Sequence, residues 1–200
     1  MNIVQSWRGI LKSGNSKSSG ASQAVKPEVS QTLFWYVIPL ALITPIMLSL
    51  VIRQYPDVFQ DRLPGDRLYI VSLAVFFMQV VSVPLMAWTV KNLAEMVDIK
   101  PDFRDAFLVT AIAATPVMVV SLGYVVPSFT FNLVMHGIAA VAAAALIYLG
   151  LKNVFDLQRR GARIMLTLTV VATASLGFGI VLIATLMFWG QVQEFQFAAH

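Results

Sequence analysis

The sequence contains no cysteine and few charged residues. Without cysteine the chain can form no disulfide, thiol nucleophile or thiolate metal site. Only 12% of its 200 residues are charged and 58% are hydrophobic, a composition typical of integral membrane proteins. It also lacks an H-E-x-x-H motif, a nucleophile elbow, a Walker loop and a pair of intramembrane aspartates. We therefore expect a membrane protein that is not an enzyme and that uses no cofactor or metal.

Long apolar runs dominate the chain. A transmembrane helix needs about 20 predominantly apolar residues. Five runs reach that length without an internal Asp, Glu, Lys or Arg: about 33–52, 68–90, 106–126, 128–151 and 164–190. They predict an all-α membrane protein, a bundle of five transmembrane helices over residues 33–190. The first run begins too far along the chain for a signal-peptide core, so we expect it to be retained as a span.

Prolines divide and bend these runs. As one helix, residues 106–151 would be about 69 Å long, more than twice the hydrocarbon thickness of about 30 Å. The chain must therefore reverse, and Pro127 lies near the midpoint of the run, which predicts a tight hairpin there. Pro116 then falls within the third span as a kink, and we expect similar kinks at Pro45 and Pro84.

The basic residues predict the orientation. With five crossings, eleven of the 14 Lys and Arg residues fall on the side of the N-terminus, and the other three are Arg53, Arg62 and Arg67. Because cytoplasmic loops carry an excess of Lys and Arg, the N-terminus is predicted to be cytoplasmic and the C-terminus external.

The segments outside the bundle are short. Residues 1–32 are predicted to be cytoplasmic, with a candidate interfacial helix at 2–12 and a flexible Ser/Gly linker at 13–24. Residues 191–200 form a short external tail. The cations sit just outside the apolar runs, where lipid headgroups explain them better than nucleic acid does. The candidates for headgroup or partner contacts are Arg8, Lys12, Lys152, Arg159, Arg160 and Arg163.

One polar helical face lies within the predicted bilayer. Ser128, Asn132 and His136 follow one another at a spacing of four residues, with Tyr124 opposite them across the hairpin. An ionisable residue inside a membrane can mark an ion or proton path. The alternative is that this face forms hydrogen bonds between packed helices. The second interpretation is favoured, because His136 has no carboxylate partner in the spans. Isolated Gln79 and Thr115 also predict interhelical hydrogen bonds.

The stretch "FRDAFLVTAIAATPVMVVSLGYVVPSF", followed by "IYLGLKNV", resembles the core of the Yip family of multi-pass membrane proteins, particularly its bacterial branch. The matching features are Thr115-Pro116, Pro127 and the run Tyr148-Leu149-Gly150-Leu151. The resemblance implies five membrane-spanning helices with a cytoplasmic N-terminus. Eukaryotic relatives interact with Rab-type GTPases, but this chain lacks their acidic N-terminal segment, so Rab binding is not carried over.

We therefore expect a non-enzymatic protein of the bacterial inner membrane that acts by helix packing. Its expected partners are membrane lipids, a second copy or other membrane proteins. The alternative function is a small-solute transporter or channel built from proline-kinked helices.

Overall fold

A computed structural model describes residues 28–54, 65–126, 128–157 and 159–176. The predicted helix 2–12, the linker 13–24 and the tail 191–200 lie outside the described residues. The same is true of Arg8, Lys12, Pro127 and the second half of the fifth predicted span.

All secondary-structure elements in the described ranges are helices. Helix α1 comprises the consecutive segments Val29–Thr32, Leu33–Val37, Ile38–Ala41 and Ile43–Gln54. Helix α2 is Gly65–Glu95, α3 is Phe103–Val119 with a 3₁₀ continuation Val120–Val125, and α4 is Phe129–Asn153. A further helix, α5, covers residues 160–176. These elements confirm the all-α architecture.

Among the described residues, four helices are long and apolar enough to cross a membrane: Val29–Val51, Tyr69–Glu95, Phe103–Val125 and Thr130–Asn153. They correspond to the first four predicted spans. At about 1.5 Å per residue, α2 is about 46 Å long and extends beyond a hydrocarbon core of about 30 Å. The fifth span remains a prediction, because the described part of α5 ends at residue 176.

Local capping interactions fix the helix ends. At the end of α2, the Ile99 N–H returns to the Ala94 carbonyl over 3.0 Å and the Asp98 N–H to the Glu95 carbonyl over 3.2 Å. Asp98 has φ 61° between them, so the turn is a Schellman motif with aspartate in place of the usual glycine. At the start of α4, the Ser128 hydroxyl accepts the Phe131 N–H as an N-cap.

Helix α3 is the central helix of the bundle and contacts α1, α2 and α4. More than half of its candidate span is buried, against about a fifth of the others. On α2 the buried positions Val83, Ala87, Val90 and Ala94 recur at helical spacing and form one packing face. The core they join also contains Phe107 and Ala111 of α3, Leu151 of α4, and Leu166 and Val170 of α5.

The prolines lie in different local structures. A π-helical segment, Leu33–Val37, ends two residues before Pro39, and Leu42 interrupts α1 three residues before Pro45. Proline removes a backbone donor and crowds the preceding turn, which accounts for irregular geometry at both places. Pro84 and Pro116 instead lie inside continuous α-helices, and the predicted kinks there stay predictions.

Large apolar side chains cover the outside of the helices. Trp35 and Met165 are more than 70% exposed, and Phe77, Leu85, Leu133 and Ile138 are more than half exposed. Water would disfavour such a surface, whereas lipid tails solvate it. The fold therefore has the outer surface of a multi-pass membrane protein.

Candidate functional site

The hairpin between α3 and α4 brings together the four polar residues predicted from the sequence. Tyr124, in the 3₁₀ end of α3, stacks on His136 of α4 with ring centroids 5.6 Å apart and planes 14° apart. The Tyr124 hydroxyl also lies 3.2 Å from His136 Nε2. The two rings are thus held both by stacking and by a hydrogen bond.

The surroundings of His136 define its tautomer. Its Nδ1 lies 2.8 Å from the backbone carbonyl of Asn132, which can only accept a hydrogen bond. Nδ1 therefore carries a hydrogen, and in the neutral ring Nε2 accepts from the Tyr124 hydroxyl. Both ring nitrogens have partners, so the imidazole is positioned as a connector between the two helices.

Asn132 fastens the turn of the same hairpin. Its Nδ2 donates to the carbonyls of Val126 at 2.9 Å and Ser128 at 3.0 Å. Its Oδ1 is buried without a partner among the described residues. Ser128 and Asn132 therefore both stabilise the turn between α3 and α4, and this is their structural role.

A second polar network lies between α1, α2 and α3. The Thr44 and Ser121 hydroxyls are 2.8 Å apart, and Gln79 Nε2 donates to Thr44 Oγ1 over 2.8 Å. Closer to the start of α1, the Tyr36 hydroxyl lies 2.5 Å from Thr115 Oγ1. The interhelical hydrogen bonds predicted for Gln79 and Thr115 are confirmed, and the sequence analysis missed their partners Tyr36 and Thr44.

Both Tyr36 and Thr44 lie on the inward face of α1, eight residues apart. A hydroxyl inside an apolar run is weak evidence for a hydrogen bond between helices, because Ser and Thr side chains often hydrogen-bond to the backbone of their own helix. Thr110 does so in this bundle, donating to the Ala106 carbonyl over 2.8 Å. The sequence does not distinguish a hydroxyl that bonds to another helix from one that bonds to its own helix.

The cations in and beside the loop between α4 and α5 differ in exposure. Arg159 and Arg160 are exposed at the start of α5, and Lys152 is half-buried at the end of α4. Arg163 differs, since it is only 7% exposed. Its guanidinium lies over the Tyr148 ring, 4.3 Å from the centroid, and Nη1 donates to the Leu157 carbonyl over 3.3 Å.

The headgroup or partner contact expected of Arg163 stays a prediction, and the burial of this side chain disfavours a headgroup contact. A headgroup contact needs an accessible guanidinium, and this one is enclosed by Tyr148 and the loop. The reason is geometric: counting charges along the loop does not show that position 163 faces α4. The apolar body of arginine also allows such packing.

A metal site in the described ranges would require side chains that could hold a metal ion to lie close together. No group of three or more His, Cys, Asp or Glu side chains gathers there in a way that could hold a metal ion. Among the described residues, the buried and half-buried polar side chains that make the hydrogen bonds above are those of Ser, Thr, Tyr, Asn, Gln, His136 and Arg163. Such groups form hydrogen bonds between helices, as Tyr124 and His136 do.

Comparison with known proteins identifies a family that the chain matches. The family model for the Yip1 domain matches residues 16–190. No curated protein and no solved structure matches the chain.

Proposed function

The chain belongs to the Yip1-domain family, and we propose that it is a non-enzymatic multi-pass protein of the bacterial inner membrane. In this proposal it acts by helix packing and by contacts with lipids and other membrane proteins, in the organisation of the membrane. Its five transmembrane helices occupy residues 33–190, with residues 1–32 in the cytoplasm and 191–200 outside.

The observation that carries the proposal is the use of the interior polar side chains. Tyr36 pairs with Thr115, Thr44 with Ser121 and Gln79, and Tyr124 with His136. Each pair joins two different helices. Hydrogen bonds of this kind stabilise membrane bundles, each by about 0.6 kcal/mol on average. Because these groups hold helices together, the surfaces left for function are the lipid-facing helices and the loops.

Lipids and neighbouring membrane proteins are the partners that these surfaces suit. The outward faces of α2 and α4 are apolar, and the exposed face of α4 includes the small residues Gly137 and Ala140 at a spacing of three residues. Small residues on a membrane helix allow close approach of another helix. A second copy of the chain or another membrane protein is the partner class we propose, with no Rab-type GTPase among them.

The topology is tested first. Because the sequence contains no cysteine, an introduced cysteine is the single site that a maleimide labels. Single cysteines replace Ser13, Gln60 or His200 in intact cells, and a membrane-impermeant maleimide labels those outside. We expect Gln60→Cys and His200→Cys to be labelled at once, and Ser13→Cys only after permeabilisation. Protection of the cysteine at position 200 would show that the span count is even.

Affinity purification from mild detergent, followed by mass spectrometry, tests the proposed role. Full-length protein is compared with a variant lacking residues 1–30, under identical tagging. A specific membrane protein retained by the full-length chain supports the proposal. Uptake of a defined solute by reconstituted liposomes, lost on changing Pro116 or His136, would contradict it in favour of transport.

A further inference from the structure

Two neighbouring apolar side chains are exposed in the turn that follows α2. Met96 is 79% exposed and Val97 is 42% exposed. The residues on either side of them, Glu95 and Asp98, are charged and exposed as well, and Glu95 forms an ion pair with Lys91 over 3.6 Å. Charged side chains avoid the hydrocarbon core, so this turn lies outside it. Lipid tails therefore do not explain the exposure of Met96 and Val97.

The surroundings of these two side chains are acidic. Residues 95–102, which we call the acidic turn, contain three acidic residues and one basic residue, Lys100. All four of these charged side chains are exposed. The other loop at this end of the helices differs, since residues 152–163 contain four basic residues and one acidic residue. A surface that is both apolar and acidic suits a partner that is apolar and basic.

The chain enters α1 at the same end of the bundle. The first segment of α1 contacts α3. Helices α1 and α3 run in the same direction, because the pair Tyr36 and Thr115 is followed along both helices by the pair Thr44 and Ser121. The first residues of α1 therefore lie towards the start of α3, which directly follows the acidic turn. Residues 1–27 thus join the bundle at the end where that turn lies.

The sequence before α1 is complementary to the acidic turn. Residues 1–27 contain no acidic residue and four basic ones: Arg8, Lys12, Lys17 and Lys26. Within residues 2–12 the apolar residues recur at helical spacing and form one stripe, which Arg8 and Lys12 border on one side. The Yip1-domain match begins at residue 16, so this segment lies outside the matched residues. It combines the two properties that the acidic turn suits.

We propose that residues 2–12 dock on the acidic turn of the same chain. The apolar stripe of the segment covers Met96 and Val97, and removal of their apolar surface from water favours the contact. Arg8 and Lys12, at the edge of the stripe, reach the carboxylates of the turn with their long side chains. Opposite charges on the two surfaces also fix their relative orientation.

The chain between the two parts is long enough for this contact. Residues 13–28 number sixteen, and a Ser/Gly-rich chain of that length has a root-mean-square span of about 22 Å. The competing occupant of the segment is the membrane surface, because basic amphipathic segments also bind anionic lipids. Binding there would leave Met96 and Val97 exposed, whereas docking on the acidic turn covers them. The proposal holds for either orientation of the bundle, since both parts lie at one end.

Cross-linking between introduced cysteines tests the contact in the full-length chain, which has no cysteine of its own. Ser13→Cys, directly after the segment, is combined with Val97→Cys in the acidic turn. The matched control combines Ser13→Cys with Gly161→Cys, an exposed position in α5 where a Cβ meets nothing within 4 Å. Each protein is reconstituted in liposomes that contain phosphatidylglycerol and is treated with a short, membrane-permeant bis-maleimide. Gel electrophoresis and mass spectrometry then separate cross-links within one chain from cross-linked dimers.

We expect the cross-link within one chain to form in about tenfold higher yield for the Val97 pair than for the Gly161 pair, because docking raises the local concentration of one thiol near the other. Adding Asp98→Asn/Asp102→Asn to the Val97 pair should lower its yield to that of the control. Asparagine is tolerated at both positions, because Asp98 has φ 61° and Asp102 immediately precedes α3. Asp156→Asn, which changes another aspartate of positive φ in the other loop, should leave the yield unchanged.

Three results would overturn the proposal. Equal yields for the two cysteine pairs would place the segment elsewhere, as binding to the lipid surface would. Dimers in place of cross-links within one chain would place the segment of one copy on the turn of another. A yield that Asp98→Asn/Asp102→Asn leaves unchanged would show that the carboxylates do not hold the segment. Because the protein is tested alone, none of these results depends on whether a protein partner is found.

Discussion

Val109 of α3 packs directly against the backbone of Gly150 in α4. A Cβ added at Gly150 would lie 2.5 Å from Cγ1, 2.9 Å from Cγ2 and 3.2 Å from Cβ of Val109. Valine is branched at Cβ and stiff at χ1, so no simple rotation moves all three atoms away. Val109 is only 1% exposed and Gly150 is also buried. Close packing of these two helices therefore requires glycine at position 150.

The first prediction concerns this contact. Gly150→Ala is expected to lower the free energy of unfolding by about 1–3 kcal/mol, because the added methyl overpacks the interface. The measurement is the Tm of purified protein in detergent. Gly137→Ala, on the same helix, is the matched control, since a Cβ there meets nothing within 4 Å. That variant should keep or raise the Tm, because alanine is the better helix former.

A compensating change separates the clash from other effects of the substitution. Combining Val109→Ala with Gly150→Ala removes Cγ1 and Cγ2, the two atoms nearest the new methyl, and leaves the Cβ of residue 109 at 3.2 Å. We expect the double variant to be more stable than the sum of the two single losses implies. Simple additivity would mean that Val109 is not the reason for the glycine.

The positions of the helices could be predicted from the sequence, because the length of an apolar run and the position of a proline can each be read from one stretch of the chain. The run 68–90 lies within α2, which extends beyond it at both ends, and the run 128–151 begins one residue before α4 and ends two residues before its end. Those extensions follow from local capping, such as the αL conformation of Asp98, which hydropathy does not report. The 3₁₀ continuation Val120–Val125 was not predicted either, since no residue in it demands that geometry.

Both partners of a polar contact were predictable only across the hairpin, whereas for Gln79 and Thr115 the sequence indicated a hydrogen bond without its partner. Tyr124 and His136 are twelve residues apart, so the turn between their helices brings them together. Tyr36 and Thr115 are 79 residues apart, and Thr44 and Ser121 are 77 apart. Their pairing depends on which faces of α1 and α3 meet in the bundle. A single sequence does not determine that rotation, and for the same reason it did not reveal the burial of Arg163.

A second prediction separates stacking from hydrogen bonding at His136. Tyr124→Phe keeps the ring and loses the hydroxyl, at an expected cost of about 0.6 kcal/mol. His136→Ala loses the stacked ring as well, which should add about 1 kcal/mol. His136→Phe is the control that keeps a ring without nitrogens, and its Tm should lie between the two. Equal Tm values for Tyr124→Phe and His136→Ala would show that the stacked rings contribute nothing.

A third prediction concerns the network around Thr44. Thr44→Val removes the oxygen that accepts from Gln79, whose Oε1 is already without a partner in the described ranges. Leaving the whole amide unpaired in an apolar bundle should cost about 1–3 kcal/mol. Gln79→Leu removes the amide entirely, so adding it to Thr44→Val should recover stability. A double variant less stable than Thr44→Val would contradict this account of the network.

The fourth prediction tests what holds the buried guanidinium of Arg163. The Tyr148 ring lies 4.3 Å beneath it, and a cation over an aromatic face in a desolvated site gains about 2 kcal/mol. Tyr148→Phe preserves that face and should leave the Tm nearly unchanged. Tyr148→Leu preserves apolar volume without the face, so it should lower the Tm by several degrees. Arg163→Lys should behave like Tyr148→Leu, because lysine keeps the charge but loses the planar group that both stacks on Tyr148 and donates to Leu157. If Tyr148→Leu is as stable as Tyr148→Phe, the carbonyl of Leu157 and the surrounding packing hold Arg163 without help from the ring.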